Sequence, residues 1–210
     1  MKNNIQSSVL VAVDMGSQSF RAMAAEVTPS GALRVLGVEE SSQKCCVHRG
    51  VVENTSDAGY MLTSVIKLLG NRIRKQVGNA AFVCAGGQSM KVVSVSSSRD
   101  LGCKREITSE LLAKMEWECK EKMEKKNPDV AVLDIIPSYY QLDGEKQTHE
   151  PTPSQRAVFF TAHYNAFWGK KELEEKVDKT FQRTAFENEK MYARPEVLMN
   201  ALATEEEMNN

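Results

Sequence analysis

"VAVDMGSQSFRAMAAEV", residues Val11–Val27, runs a Val-rich apolar segment into one carboxylate, Asp14, then through a Gly-Ser-Gln-Ser turn into a second apolar segment at Phe20. A continuous apolar run bounded by turn residues reads as a strand buried on both faces. Such a strand delivers backbone N–H groups, hydroxyls and a carboxylate to a single strand end. Turn N–H groups attract phosphate oxygens, and a carboxylate beside them suits a hydrated Mg²⁺ that neutralises the phosphates. Asp also starts turns with no ligand at all, Gly16 then supplying backbone freedom. What surrounds the turn separates the two readings.

Outward from it, Ser8–Val13, Phe20–Val27 and Leu33–Glu39 read as three strands in a meander, the last two joined by Thr28-Pro29-Ser30-Gly31. Thr55-Ser56-Asp57 opens a helix with Met61, Leu62, Val65, Ile66, Leu69 and Ile73 at helical spacing, and Arg72, Arg74 and Lys75 suit its carboxyl end. Ala81–Ala85 is a second buried strand ending in Gly86-Gly87, and Lys91–Ser97 alternates as a half-exposed strand does. Thr108 caps a helix with a stripe of Leu111, Leu112, Met115, Cys119 and Met123, ending before Asn127-Pro128. Val130–Leu142 is a long strand in which Pro137 demands an edge or a bulge. Gly144–Ser154 reads as a loop, Ala157–Thr161 as a strand, Lys170–Phe181 as a helix, and Pro195–Met208 as a helix with Pro at its start.

Composition narrows the function. A chain of 210 residues, 41% hydrophobic, buries a core without staples. With 27 Lys and Arg against 28 Asp and Glu, bulk charge gives no argument for nucleic acid or an anionic membrane. The five cysteines, Cys45, Cys46, Cys84, Cys103 and Cys119, are odd in number and lack C-x-x-C spacing, which argues for a reducing cytosol. No apolar stretch suits a secretory leader or a spanning helix. His48, His149 and His163 stand apart from metal-ligand spacing and read as surface or loop residues. Gly86-Gly87-Gln88-Ser89 could cradle phosphate but reads better as a bend, and the charged run Glu116–Lys126 reads as a solvated helix face. No G-x-S-x-G elbow supports a hydrolase.

The order of strand, Asp-x-Gly-Ser turn, strand, Pro-Gly turn, strand and helix resembles the first half of the actin-like nucleotide-binding fold shared by actin, sugar kinases and heat-shock chaperones. Within that superfamily the sequence resembles the family of the bacterial cell-division protein FtsA. The resemblance is carried by "VAVDMGSQSFRAMAAEVTPSGALRVLGV", "HRGVVENTSDA", "AFVCAGGQSMKVVSV", "KREITSELLAKM" and "VLDIIPSYYQLDG". It spans Val9 to Glu206, patchily after Glu145. The last three of those segments are similar to the small subdomain that this family inserts.

The resemblance implies an α/β fold: an actin-like, ribonuclease H-like mixed sheet with helices and a small inserted α+β subdomain. It divides the chain into 1–80 and 156–210, two segments of the first actin-like subdomain, with 81–155 as the insertion. It implies ATP and Mg as cofactors, with Asp14 coordinating the hydrated metal and Gly16, Ser17, Gln18 and Ser19 holding phosphates. Arg21 would stand where actin has a basic residue, and Ser19 where the family often has Lys. The implied function is a filament-forming adaptor, at most a slow ATPase with no catalytic residue assigned. It tethers the FtsZ ring to the cytoplasmic face of the inner membrane at the division site, among other divisome proteins and without nucleic acid. The family's second nucleotide-binding half, its FtsZ surface and its membrane helix have no counterpart in these residues. The expectation is therefore an amino-terminal fragment that binds ATP weakly or not at all alone. The alternative on the same fold is a phosphotransferase or a reactivating-chaperone ATPase. A kinase would bring a general-base Asp and lack the "REITSELL" insertion, so the adaptor is favoured.

Overall fold

A computed structural model describes residues 9–41, 46–88, 90–152 and 154–202. In chain order they form β1 (Val9–Met15), β2 (Phe20–Val27), β3 (Leu33–Ser41), β4 (Val47–His48), β5 (Val51–Val52), α1 (Thr55–Ile73) and β6 (Ala80–Ala85). There follow β7 (Lys91–Glu106), α2 (Ser109–Lys126), β8 (Val130–Leu142), β9 (Glu145–Gln147), β10 (Arg156–Lys170), α3 (Lys171–Phe181), β11 (Glu187–Ala193) and α4 (Arg194–Leu202). The chain divides into two compact units, one drawn from Met1–Gln88 and Glu172–Val197, the other from Ser89–Lys171 and Leu198–Asn210. Cys45 and the end of the expected Pro195–Met208 helix lie outside the described residues.

The first unit is built on a five-stranded mixed sheet in the order β11-β6-β1-β2-β3. The meander is there: β1 pairs antiparallel with β2, and β2 with β3. On its other side β1 pairs in parallel with β6, and β6 in parallel with β11. Val11, Val13 and Met15 of β1 are buried while alternate residues are partly exposed, so one face of this central strand carries the core. Asn54, one residue before the expected start, caps α1 by accepting from the Ser56 and Asp57 N–H groups at 3.0 and 3.1 Å. The Met61, Leu62, Val65, Ile66 and Leu69 stripe is buried, and Arg74 ends the helix in the left-handed conformation.

Glu26 ties β2 to the end of that helix. Its buried carboxylate accepts from Lys75 Nζ at 2.9 Å and from Arg34. These bonds, Lys75 first and Arg34 second, hold its pKa below the ordinary 4.5. A carboxyl whose folded-state pKa is lowered stabilises the fold above that ordinary value and loses the contribution as pH falls through the lowered one. Thermal melts of the wild type and Glu26→Gln should therefore differ most above pH 4.5 and converge as acidification passes the lowered pKa of Glu26. A gap that widens on acidification would contradict this.

The second unit is an antiparallel sheet in the order β7-β10-β8-β9 with α2 packed on it. Thr108 accepts from the Leu111 N–H at 3.2 Å and caps α2 as its sequence predicts. Met115 and Cys119 of α2 meet Ile107, Val132, Ile135, Tyr140, Phe160, Ala162, Tyr164 and Ala166 in one core. Pro137 sits where the β8–β10 register slips, leaving Ser138 unpaired, and β9 reaches only Tyr140–Leu142, so bulge and open edge coincide there. The Tyr164 hydroxyl lies in this core with no hydrogen-bond partner, and burial pushes its pKa up. An unpartnered buried hydroxyl costs about 1–3 kcal/mol, so Tyr164→Phe should raise stability by about 1 kcal/mol in urea titrations. A loss of similar size would mean the hydroxyl is satisfied.

Several elements differ from the sequence reading. The expected loop after Gly144 opens with β9, on a left-handed Asp143-Gly144 turn. The Ala157–Thr161 strand runs on to Lys170 and pairs with both β7 and β8, and β11 was not anticipated. Ala80–Ala85 belongs to the first sheet and Arg156–Lys170 to the second, so the units change at 88/89 and 171/172, where the sequence placed boundaries at 80/81 and 155/156, and again at 197/198, where the sequence placed none. His163 is no loop residue: it lies on β10, stacked on Tyr139 at 4.0 Å, while His48 and His149 are exposed. Among the described residues no helix is long and apolar enough to cross a membrane.

Candidate functional site

The parallel strands β1, β6 and β11 bring their carboxyl ends to one edge of the first sheet. Asp14 pairs with Cys84, and Cys84 with Tyr192, so three strand ends stand in a row. Ligands of parallel α/β sheets gather outside such carboxyl ends, where the connecting turns present backbone groups. The Asp14–Ser19 turn is the first of these connections.

Within it the Gly16 N–H donates to the Ser19 carbonyl at 3.1 Å. A Cβ on Gly16 would stand 2.8 Å from that carbonyl oxygen, so glycine is required by close approach, and its φ is not left-handed. Ser17 Oγ accepts from the Gly50 N–H at 3.3 Å. Gly50 belongs to the β4–β5 turn, where Arg49 at φ 49° and Gly50 at φ 81° are both left-handed, as a two-residue hairpin turn needs. A Cβ on Gly50 would fall 2.0 Å from the Gly86 carbonyl oxygen at the end of β6. Three connections thus lock together through the Ser17–Gly50 hydrogen bond and a Gly50–Gly86 approach that only glycine permits.

The Asp14 carboxylate faces a cation from the other end of the chain. Arg194, the first residue of α4, donates from Nη2 to Asp14 Oδ1 at 2.6 Å and to the Met15 carbonyl at 3.4 Å. Its stem rests on Gly86, where a Cβ would meet Arg194 Cβ at 3.2 Å. Burial works against the guanidinium's charge, and Asp14 with Cys84 more than offsets it, so the pKa of Arg194 is raised. Burial, reinforced by the Asp14 charge, pushes the Cys84 thiol up and keeps it protonated. Both partners of the ion pair remain solvent-accessible, with 31% of the Arg194 and 38% of the Asp14 side chain exposed.

Asp14, Gly16, Ser17 and Gln18 therefore share one turn, with Gln18 exposed. Ser19 and Arg21 turn to β3 instead. Arg21 pairs with Glu40 at 3.2 and 3.3 Å, and Ser19 and then Arg21, hydrogen-bonded to the Glu40 carboxyl, lower its pKa. For a metal the fit is poor. Mg²⁺ held by a protein takes one or two carboxylates, water and phosphate oxygens. Here the Asp14 carboxylate already holds a guanidinium, and the described residues contain no cluster of three or more His, Cys, Asp or Glu that could hold a metal ion. Phosphate oxygens fit better, since the turn and Arg194 offer donors at an accessible strand end.

Sequence reading missed Arg194, Gly50 and Cys84. Arg194 lies 180 residues from Asp14, and only the parallel pairing of β11 brings it back. Gly50 was visible as a turn residue in "HRGV", but nothing local says that Gly86 lies against it.

No family model matches the chain, and no curated protein does. Among solved structures it is similar to a chain of the PilM-PilN type IV pilus biogenesis complex, with a TM-score of 0.59 at 10% sequence identity. The match covers 92% of this chain and 49% of that one, so this chain spans about half the length of the protein it matches. At that identity the likeness concerns the fold alone: a mixed α/β architecture, consistent with the actin-like fold expected from the sequence.

Proposed function

We propose that this chain supplies the first half of the actin-like fold of an FtsA-like adaptor, a filament-forming ATP-binding protein that tethers the FtsZ ring to the cytoplasmic membrane. An actin-like fold alone does not choose among scaffold, kinase and chaperone. The observation that carries the choice is the second unit, a four-stranded sheet with its own helix and core that enters the chain after β6 and leaves before α3. It contains the "KREITSELLAKM" and "VLDIIPSYYQLDG" segments on which the sequence resemblance rests. ATP, when bound, would supply phosphates to Gly16, Ser17 and Gln18. Those residues and Arg194 would orient the phosphates at the sheet edge. The protein would act peripherally at the membrane of the division site, with other divisome proteins and further copies of itself as partners.

Co-sedimentation of the intact protein with polymerised FtsZ tests this reading. Pelleting with FtsZ polymers, and not without them, is expected. A protein that stays in the supernatant and phosphorylates a small hydroxyl acceptor would establish the phosphotransferase alternative instead.

A further inference from the structure

We propose that Arg194 is the resident cation of the Asp14–Ser19 turn, so that an oligophosphate binds there without a divalent metal. The inference rests on the reading of this turn as a phosphate cradle. The side chain that a metal would need is committed, since Asp14 Oδ1 receives Arg194 Nη2 at 2.6 Å. A divalent cation at Asp14 would be forced against that guanidinium, and like charges a few ångströms apart repel strongly in a partly dry site. The pair is anchored rather than incidental, because the arginine stem lies on Gly86 and Nη2 also reaches the Met15 carbonyl. Nη2 serves both Asp14 and Met15, the guanidinium also hydrogen-bonds the Cys84 side chain, and its remaining donors lie in a planar fork suited to phosphate oxygens. Asp14 then does not assist the ligand: it holds the arginine in place and competes with phosphate for it.

That competition gives opposite signs for the two accounts of Asp14. The probe is inorganic triphosphate, titrated calorimetrically into the intact protein with EDTA and, separately, with Mg²⁺. Wild type should bind in EDTA, with Mg²⁺ changing affinity by less than about threefold. Arg194→Ala should lose about tenfold or more in EDTA, the worth of a charge-assisted hydrogen bond. Arg194→Lys, which keeps the charge without the planar fork and guards against a misfolded alanine variant, should bind in EDTA more tightly than Arg194→Ala and more weakly than wild type. Asp14→Asn should bind about threefold tighter or better, because its loss frees Nη2. Binding that requires Mg²⁺, or that vanishes in Asp14→Asn, would overturn the assignment of Arg194 while leaving the cradle standing. Absence of triphosphate binding in both buffers would remove the cradle itself, and the inference with it.

Discussion

Gly50→Ala lowers the stability of the first unit by about 3 kcal/mol or more, and two separable physical costs add to that figure. The first is conformational: a side chain at φ 81° brings a left-handed penalty of about 1–2 kcal/mol. The second is steric. The new methyl would lie 2.0 Å from the Gly86 carbonyl oxygen, 2.4 Å from its carbon and 2.8 Å from the Gly87 Cα. All three are backbone atoms at the end of β6, so no rotamer change relieves the clash, and overpacking against fixed structure costs about 1–3 kcal/mol. Gly31 is the control. It has φ 83° but nothing within 4 Å of its would-be Cβ, so Gly31→Ala incurs only the conformational part. Thermal melts should show Gly50→Ala falling by about 6–12 °C, with Gly31→Ala losing a third to half as much. Equal losses at the two positions would mean that the β4–β5 turn does not lie against β6. The same displacement would disturb Gly86, on which the Arg194 stem rests, so phosphate affinity at the turn should fall in parallel.

The contrast between Gly50 and Asp14 shows what a sequence discloses about such a site. The turn that holds Asp14, Gly16 and Ser17 was legible because a strand, its terminating carboxylate and its turn are contiguous, and local chemistry fixes all of them. The same holds for β2, for the Thr108 cap of α2 and for Pro137, whose missing N–H forces a bulge at an open edge wherever the strand is placed. What could not be read depends on pairing. β11 is Glu-Asn-Glu-Lys over its first half, a charged edge strand without the apolar alternation that marks a strand, and its parallel partner β6 alone defines it. Arg194 inherits that difficulty, since its place beside Asp14 follows from the register of β11. The far half of β10 is a different case. "AHYNAF" does alternate small or aromatic with polar residues, and Ala162, Tyr164 and Ala166 are buried, but alanine contributes little to an apolar pattern and the strand was ended early. The boundary between the units was displaced for a related reason: a short buried strand such as Ala80–Ala85 looks the same whichever sheet takes it.

Phe160→Ala should cost about 3–5 kcal/mol, the range for emptying a phenylalanine site in a close-packed core. Phe160 is fully buried at the middle of β10, pairing with Arg99 of β7 on one side and Leu142 of β8 on the other, and its ring stacks on Tyr140 at 6.0 Å. The central strand of a four-stranded sheet cannot shift to fill the space without breaking two ladders, so the cavity persists and the upper part of the range applies. Phe159, one residue earlier, points to the opposite face and is 48% exposed, so Phe159→Ala should stay within about 0.5 kcal/mol of wild type. Its backbone keeps its partners in that variant, since its N–H donates to Asp143 Oδ1 at 2.7 Å and its carbonyl accepts from the Asp143 N–H. Both tryptophans of the chain, Trp117 and Trp168, belong to the second unit, so fluorescence-monitored urea unfolding reports on that core directly. The fluorescence midpoint should drop sharply for Phe160→Ala and hardly move for Phe159→Ala. Similar shifts for the two variants would place β10 one residue out of register, because a slip of one exchanges the faces of every side chain on the strand.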